Sequence, residues 1–330
     1  MSETNSSYPY ASARVKSMEA GLLTQDKLTR IIEAKNYEEA MRVLIETGYG
    51  QPSGSGASFE QLIHNELSDA DEFMEAASPS DVFIKIMRAA KDYHNLKVLI
   101  KLFMLDKSLE DETLFPGNIS VETLRRAIND NNYYDLPENM KEALKHIDRQ
   151  FAVSADVSII GVTLDRAYSK EVSGLVGEMG DELVRNYYTA MFDLTNIIAF
   201  MRTRAFYGRE SFDGAYLEGG RIEKKAFLDA FELSDDSVLQ AVVKGDYAGI
   251  LAGAIEDYHK TKSLYMLEKA RDDYLLSLLK EHRHDIFSIG PLMCYYIAKQ
   301  REAEAVRMVM TAKQGGIDSQ VVSMRLKNIF

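Results

Sequence analysis

The sequence predicts an all-α protein made of three similar helical domains. Three observations carry this. Six prolines in 330 residues leave long stretches unbroken, apolar residues recur at helical spacing, and strand-like alternation is scarce. A motif, Asp-x-x-Asn followed by apolar turns and a basic residue, occurs in "DYHNLKVLIK" from Asp92 and again 101 residues later in "DLTNIIAFMR" from Asp193. A fainter copy, "EAEAVRMVMT" from Glu302, follows after another 109 residues, with Ala305 where the first two have Asn95 and Asn196.

In chain order, residues 10–23 place Ala11, Val15, Met18 and Leu22 on one helical face. "AKNYEEAMRVLIETGYG" reads as a short helix with Ala40, Val43 and Leu44 inward and a stop at Gly48. "GQPSGSGAS" (50–58) reads as a surface loop. The segments before the three acids align without a gap: "DVFIKIMRAAKD" (81–92), "ELVRNYYTAMFD" (182–193) and "PLMCYYIAKQRE" (291–302). Val82 matches Leu183 and Leu292, and Ile86 matches Tyr187 and Tyr296. Beyond the acids, Leu96, Ile197 and Val306 match, as do Leu99, Phe200 and Val309. "LDRAY" (164–168) and "IEDYH" (255–259) look equivalent, each expected to open a long helix. Comparable short helices are expected at "DKLTRIIEA" from Asp26, "VETLRRAIND" from Val121 and "KKAFLDAFEL" from Lys224. A period near 105 residues is too long for a solenoid and suggests domains at 1–111, 112–218 and 219–330.

In each copy the acid and the residue three later share a helical face. Two readings stand. The polar groups are caps or buried hydrogen bonds, or they point one per domain at a shared axis.

Composition narrows the function. The formal charge is −12, from 51 acids against 39 lysines and arginines, which argues against nucleic acid. Residues 1–110 hold 12 bases and 17 acids, residues 111–220 hold 11 and 18, and residues 221–330 hold 16 of each. The excess acid would speed encounter with a basic partner. Cys294 is the single cysteine, so no internal disulfide forms, and its apolar run "PLMCYYIA" reads as core. No apolar run is long enough to span a membrane, and "MSETNSSYPYASARVK" lacks the apolar core of a secretory signal.

Chemistry is hard to find. There is no phosphate-loop Gly-Lys-Ser/Thr and no His-Glu-x-x-His or Cys-x-x-Cys. His282 and His284 in "EHRHD" sit two apart, which splits them between helix faces. Gly174, Gly177 and Gly180 have no strand before them and read as loosening or breaking a helix. The acid pairs Asp235-Asp236 and Asp272-Asp273 read as solvated surface. No catalytic residue, cofactor or metal is expected.

"YPYASARVKSMEAGLL" (Tyr8, Tyr10, Arg14, Leu22-Leu23) and "YEEAMRVLIETGY" (Leu44, Thr47, Tyr49) resemble the opening of the C subunit of the archaeal and bacterial V-type (A-type) rotary ATPases, whose family includes the d subunit of the eukaryotic V-ATPase. The likeness continues through Asp92, Asn95, Leu96 and Lys97, Asp165-Arg166 and Tyr168, then Asp193, Asn196, Ile197 and Arg202. It runs on through "LEGGRI" (217–222), Pro291-Leu292, Glu302 and Arg307, and so covers essentially the whole chain.

The resemblance implies a funnel of three helical domains, and three copies around a pseudo-threefold axis would enclose a socket. It implies a non-catalytic collar between the rotor shaft (the D and F subunits) and the membrane ring of ion-carrying subunits, with the membrane stator as a further candidate partner. Such a collar sits peripherally on the cytoplasmic face and passes torque during proton or sodium transport. Asp92, Asn95, Asp193, Asn196, Glu302, Arg202 and Arg307 are its candidate socket or structural positions. The competing readings are a helical scaffold or adaptor that takes partner peptides or helices in a groove, and an enzyme whose site follows no familiar motif.

The missing phosphate loop and the acidic field predict that titration of the isolated chain with Mg-ATP gives no saturable binding at sub-millimolar nucleotide. A tight site would overturn the non-catalytic reading.

Overall fold

The computed structural model describes residues 7–50, 57–105, 114–154, 156–233, 235–243, 245–326 and 329, without the side chains of 154, 235, 236, 239 and 240. Every regular element among them is helical. The chain divides into two compact units, Met1–Asp81 with Asp272–Phe330, and Val82–Arg271.

The first unit opens with α1 (Tyr8–Met18), α2 (Gln25–Glu33), α3 (Tyr37–Glu46) and α4 (Phe59–Ala77). The second holds α5 (Asp81–Met104), α6 (Val121–Asn129), α7 (Glu138–Ser154), α8 (Ser158–Met179), α9 (Glu182–Phe206), α10 (Arg209–Ala215), α11 (Lys224–Asp229), α12 (Asp235–Val242) and α13 (Asp246–Thr261). The boundary passes through α14 (Tyr265–Lys280), and α15 (Gly290–Gln314) and α16 (Ser319–Arg325) return to the first unit.

Local chemistry explains many of the ends. Thr24, Asn36, Ser58, Ser120 and Asp181 each accept the backbone N–H three residues on, capping α2, α3, α4, α6 and α9. Gly180 ends α8 in the left-handed region at φ 69°, which glycine adopts most readily. Gly174 and Gly177 lie inside α8 and do not break it.

In the first unit α4 and α1 pack on α15, with Phe73 and Tyr295 edge-on at 5.4 Å. In the second, Leu96, Leu99, Leu124, Leu144 and Leu164 share one core. Phe200 anchors an aromatic cluster with Phe212, Phe227 and Phe231 at 5.0–5.6 Å.

The three aligned segments lie in α5, α9 and α15, helices of 24, 25 and 25 residues. Ile86, Tyr187 and Tyr296 are buried, as are Leu96, Ile197 and Val306, and Leu99, Phe200 and Val309. The three short helices form as α2, α6 and α11.

Three expectations need correction. The stripe over residues 10–23 is not one helix: α1 stops at Met18, residues 19–21 form a 3-10 turn, and Leu22 is extended. "LDRAY" and "IEDYH" do not open helices, since Leu164 lies six residues into α8 and Ile255 lies in the second half of α13. Asp272 is buried and ion-paired to Arg301 at 3.0 Å rather than solvated. The three long helices run straight through the acids at 92, 193 and 302. The loop expected at 50–58 falls mostly on residues 51–56, and the pair Asp235-Asp236 on side chains, that lie outside the described residues.

Candidate functional site

The repeated polar residues form three internal clamps. On α5, Asp92 and Asn95 are 1% and 0% exposed. The carboxylate of Asp92 accepts the backbone N–H groups of Asn118 and Ile119, both at 3.0 Å. The Asn95 amide donates to the carbonyl of Phe115 at 2.7 Å and accepts its N–H at 3.1 Å. A side-chain amide thus pairs with a residue's backbone as a neighbouring strand would, and both the N–H and the carbonyl of Phe115 find a partner.

The second clamp repeats this on α9. Asp193 accepts the N–H of Ile222 at 3.0 Å and the hydroxyl of Tyr247 at 3.0 Å. Asn196 donates to the carbonyl of Leu217 and accepts its N–H, both at 2.8 Å.

The third clamp differs in chemistry and ties the two ends of the chain together. Glu302 on α15 is 2% exposed and accepts the N–H of Leu23, 279 residues away. Where the other copies have an asparagine, Ala305 offers no polar side chain. Lys299 supplies the polarity instead, donating to Glu302 at 2.7 Å and pairing also with Glu66. Glu66 in turn accepts the N–H of Gly50 at 2.8 Å.

In every clamp the held loop leads straight into one of the short helices. Ile119, Ile222 and Leu23 each stand one residue before the N-cap of α6, α11 and α2. Buried apolar positions follow in the same register: Leu124, Phe227 and Leu28, then Ala127, Ala230 and Ile31. A glycine stands two residues before each held N–H: Gly117, Gly220 and Gly21. A Cβ on Gly117 would lie 1.9 Å from Asp92 Oδ1, and one on Gly220 would lie 2.2 Å from Asp193 Oδ1. A Cβ on Gly21 would meet nothing within 4 Å. The second loop is a residue longer, and its extra Gly219 takes φ 101° against Phe192. Sequence reasoning misses these glycines, although "GLLT", "GNIS" and "GRIE" show the shared pattern.

Basic residues on the long helices also reach acids on neighbouring helices. Lys97 pairs with Asp165 on α8, Arg202 with Glu268 on α14 at 2.9 Å, and Arg307 grips Glu60 on α4 through two nitrogens at 3.0–3.1 Å. The Arg202 and Arg307 pairs are half-exposed and are worth about 0–1 kcal/mol each.

Electrostatics follow burial. Asp92 is pushed up to about 6 by desolvation, which outweighs its two backbone donors. Burial also raises Glu302, against the pull of Lys299. Burial would depress Lys299, but Glu302 and Glu66 raise it, so the triad holds a charged lysine between two carboxylates. Cys294, fully buried and pushed up to about 12 by burial, is no nucleophile at neutral pH. Among the described residues no cluster of His, Cys, Asp or Glu could hold a metal, and no helix is long and apolar enough to cross a membrane.

Two outcomes test the clamps. Gly117→Ala and Gly220→Ala should each lower stability by about 1–3 kcal/mol, since the methyl displaces a buried carboxylate, while Gly21→Ala stays within about 0.5 kcal/mol. Urea unfolding measures all three, and equal losses would remove the glycine argument. A carboxyl with a higher pKa folded than unfolded holds extra protons in the fold, so Asp92 contributes less as pH climbs from about 4 through about 6. The stability advantage of wild type over Asp92→Asn should therefore shrink between about pH 4 and pH 7, by at most ~3 kcal/mol. An advantage that grows with pH would contradict the buried, protonatable carboxyl.

The family model for the ATP synthase (C/AC39) subunit matches residues 11–324, which include all three clamps. The C subunit of the A-type ATP synthase of Methanocaldococcus jannaschii is 26% identical over 93% of this chain and 82% of its own length. The C subunit of the V-type sodium ATPase of Enterococcus hirae is 23% identical over 96% of this chain and 97% of its own. Its counterpart in the A-type ATP synthase of Thermococcus onnurineus is 22% identical over 95% and 88%. With a match that spans nearly its full length and a repeated architecture to go with it, the chain belongs to the ATP synthase (C/AC39) subunit family.

Proposed function

We propose that this chain is the non-catalytic collar of the central stalk in a V/A-type ATPase. It seats the rotor shaft, formed by the D and F subunits, and rests on the membrane ring of ion-carrying subunits at the cytoplasmic face. It passes torque between ATP chemistry in the soluble head and proton or sodium movement in the membrane. We further propose three domains with edges near residues 112 and 219, arranged about a pseudo-threefold axis to enclose the shaft tip.

The observation that carries this reading is the triple clamp inside a chain that matches the family from residue 11 to 324. A part under load needs successive repeats tied by buried bonds, and each clamp crosses a proposed edge, joining Asp92 to Ile119, Asp193 to Ile222 and Glu302 to Leu23. The acid excess of residues 1–220 suits capture of a basic shaft tip by long-range attraction, with shape and apolar burial holding the seated complex.

Removal of the chain from the assembled machine should leave ATP hydrolysis by the head intact and abolish the ion transport that hydrolysis drives. Transport that persists at the wild-type rate in inverted vesicles without this protein would sink the collar reading.

A further inference from the structure

The groove along α7 and α8 runs against the charge of the chain. Residues 111–220 hold 18 acids and 11 lysines and arginines, yet four of those eleven line this one groove of about 380 Å³. Lys145, His146 and Arg149 lie on one face of α7, and Arg166 and Lys170 stand one turn apart on α8. Glu142 is the one carboxylate among the lining residues. Among the described residues, the side chains of Lys145, His146, Arg149 and Arg166 make no hydrogen bond or close ion pair, Arg166 lies within electrostatic reach of Asp213, and Lys170 reaches Glu218 only at 3.8 Å. By contrast Lys97, Arg202 and Arg307 on the long core helices are each matched to an acid. Like charges that outnumber their nearby counter-charges repel one another, and an anionic partner relieves that repulsion.

The shape says what kind of anion fits. Residues 142–149 span about 10 Å of helix at 1.5 Å per residue, so the cations form a stripe rather than a cup. No glycine lines the groove to bring backbone N–H groups onto a phosphate, and Glu142 would oppose a compact dianion. Its floor includes buried Ala143 and Ala167, whose small side chains let another backbone approach closely. We propose that this groove binds an acidic α-helical segment of a partner protein, with the carboxylates of that helix in a single stripe. The inference goes beyond the collar reading and does not depend on it.

The test uses the full chain and two fluorescent alanine-based helical peptides of identical composition. One carries four glutamates along a single face, and the other spreads them around the helix. At low salt the striped peptide should bind about tenfold or more tightly than the dispersed one. The double variant Arg149→Glu/Arg166→Glu should lose at least that factor. Lys225→Glu/Lys260→Glu makes the same charge change at exposed positions outside the groove and should change binding little, with circular dichroism confirming that both variants fold. Equal affinity for the two peptides, or equal loss in the two variants, would overturn the proposal. So would tighter binding, through Arg149 and Arg166, of tripolyphosphate or of phosphatidylglycerol vesicles.

Discussion

A buried acid in the middle of an unbroken helix, taking the backbone N–H of an arriving loop, is the interaction on which the rest of this structure depends. Buried N–H groups must be paired, and a loop that dives into a helical core has no strand or helix neighbour to pair them. Asp92, Asp193 and Glu302 supply the missing acceptors. Once Ile119, Ile222 and Leu23 are held, the next residue becomes an N-cap position and a short amphipathic helix begins with its apolar face on the core. Clamp, glycine and short helix therefore form one unit of design. A side chain on Gly117 or Gly220 would occupy the space of the carboxylate that the loop needs.

Much of this is legible in the sequence, for physical reasons that can be named. The core positions of α5, α9 and α15 align because helices of equal length packed in similar surroundings bury the same register. The short helices are visible because Thr24 and Ser120 are caps placed just before apolar spacing. What stays hidden depends on distance along the chain. Nothing near Glu302 reveals that its partner is Leu23, and nothing near Asp272 reveals Arg301. The acid-plus-amide motif itself leaves capping and outward-facing roles open, since spacing fixes a shared face but not what that face meets. The turn at residues 19–21 is likewise invisible: a stripe through Leu22 fits a continuous helix, whereas Leu22 and Leu23 leave it to deliver the N–H that Glu302 requires.

The third clamp has a consequence for how the chain folds. The second unit, Val82–Arg271, contains both partners of its two clamps. The first unit joins Met1–Asp81 to Asp272–Phe330, so α1, α2 and α4 lack their central helix until α15 has been made. Loop-closure entropy rises only slowly with length, so the delay is one of order rather than of equilibrium. The chemistry is adapted to this long closure. A Lys299 flanked by Glu66 and Glu302 draws together residues from α4 and α15, while the asparagine clamps work locally over 20 and 21 residues. Breaking such a buried triad by removing one partner is far more damaging than removing an exposed pair.

These features bear on the collar reading through mechanics. A part that passes force between two partners yields first where its segments are tied by the weakest bonds. Exposed pairs such as Arg202–Glu268 and Arg307–Glu60 are screened by salt and hold little. The clamps are shielded from water, and each acts near the middle of a helix about 36–38 Å long. Load arriving on a loop before α2, α6 or α11 therefore passes into the centre of a long helix through hydrogen bonds to a carboxylate, the stronger class of hydrogen bond. With Asn95 and Asn196 added, two of the three loops are gripped at two points along the backbone, so they resist rotation about a single bond as well as withdrawal. A chain that only displayed a binding groove would need its groove-lining helices to be rigid. One that transmits torque needs successive repeats tied to one another, and the clamps join Asp92 to Ile119, Asp193 to Ile222 and Glu302 to Leu23.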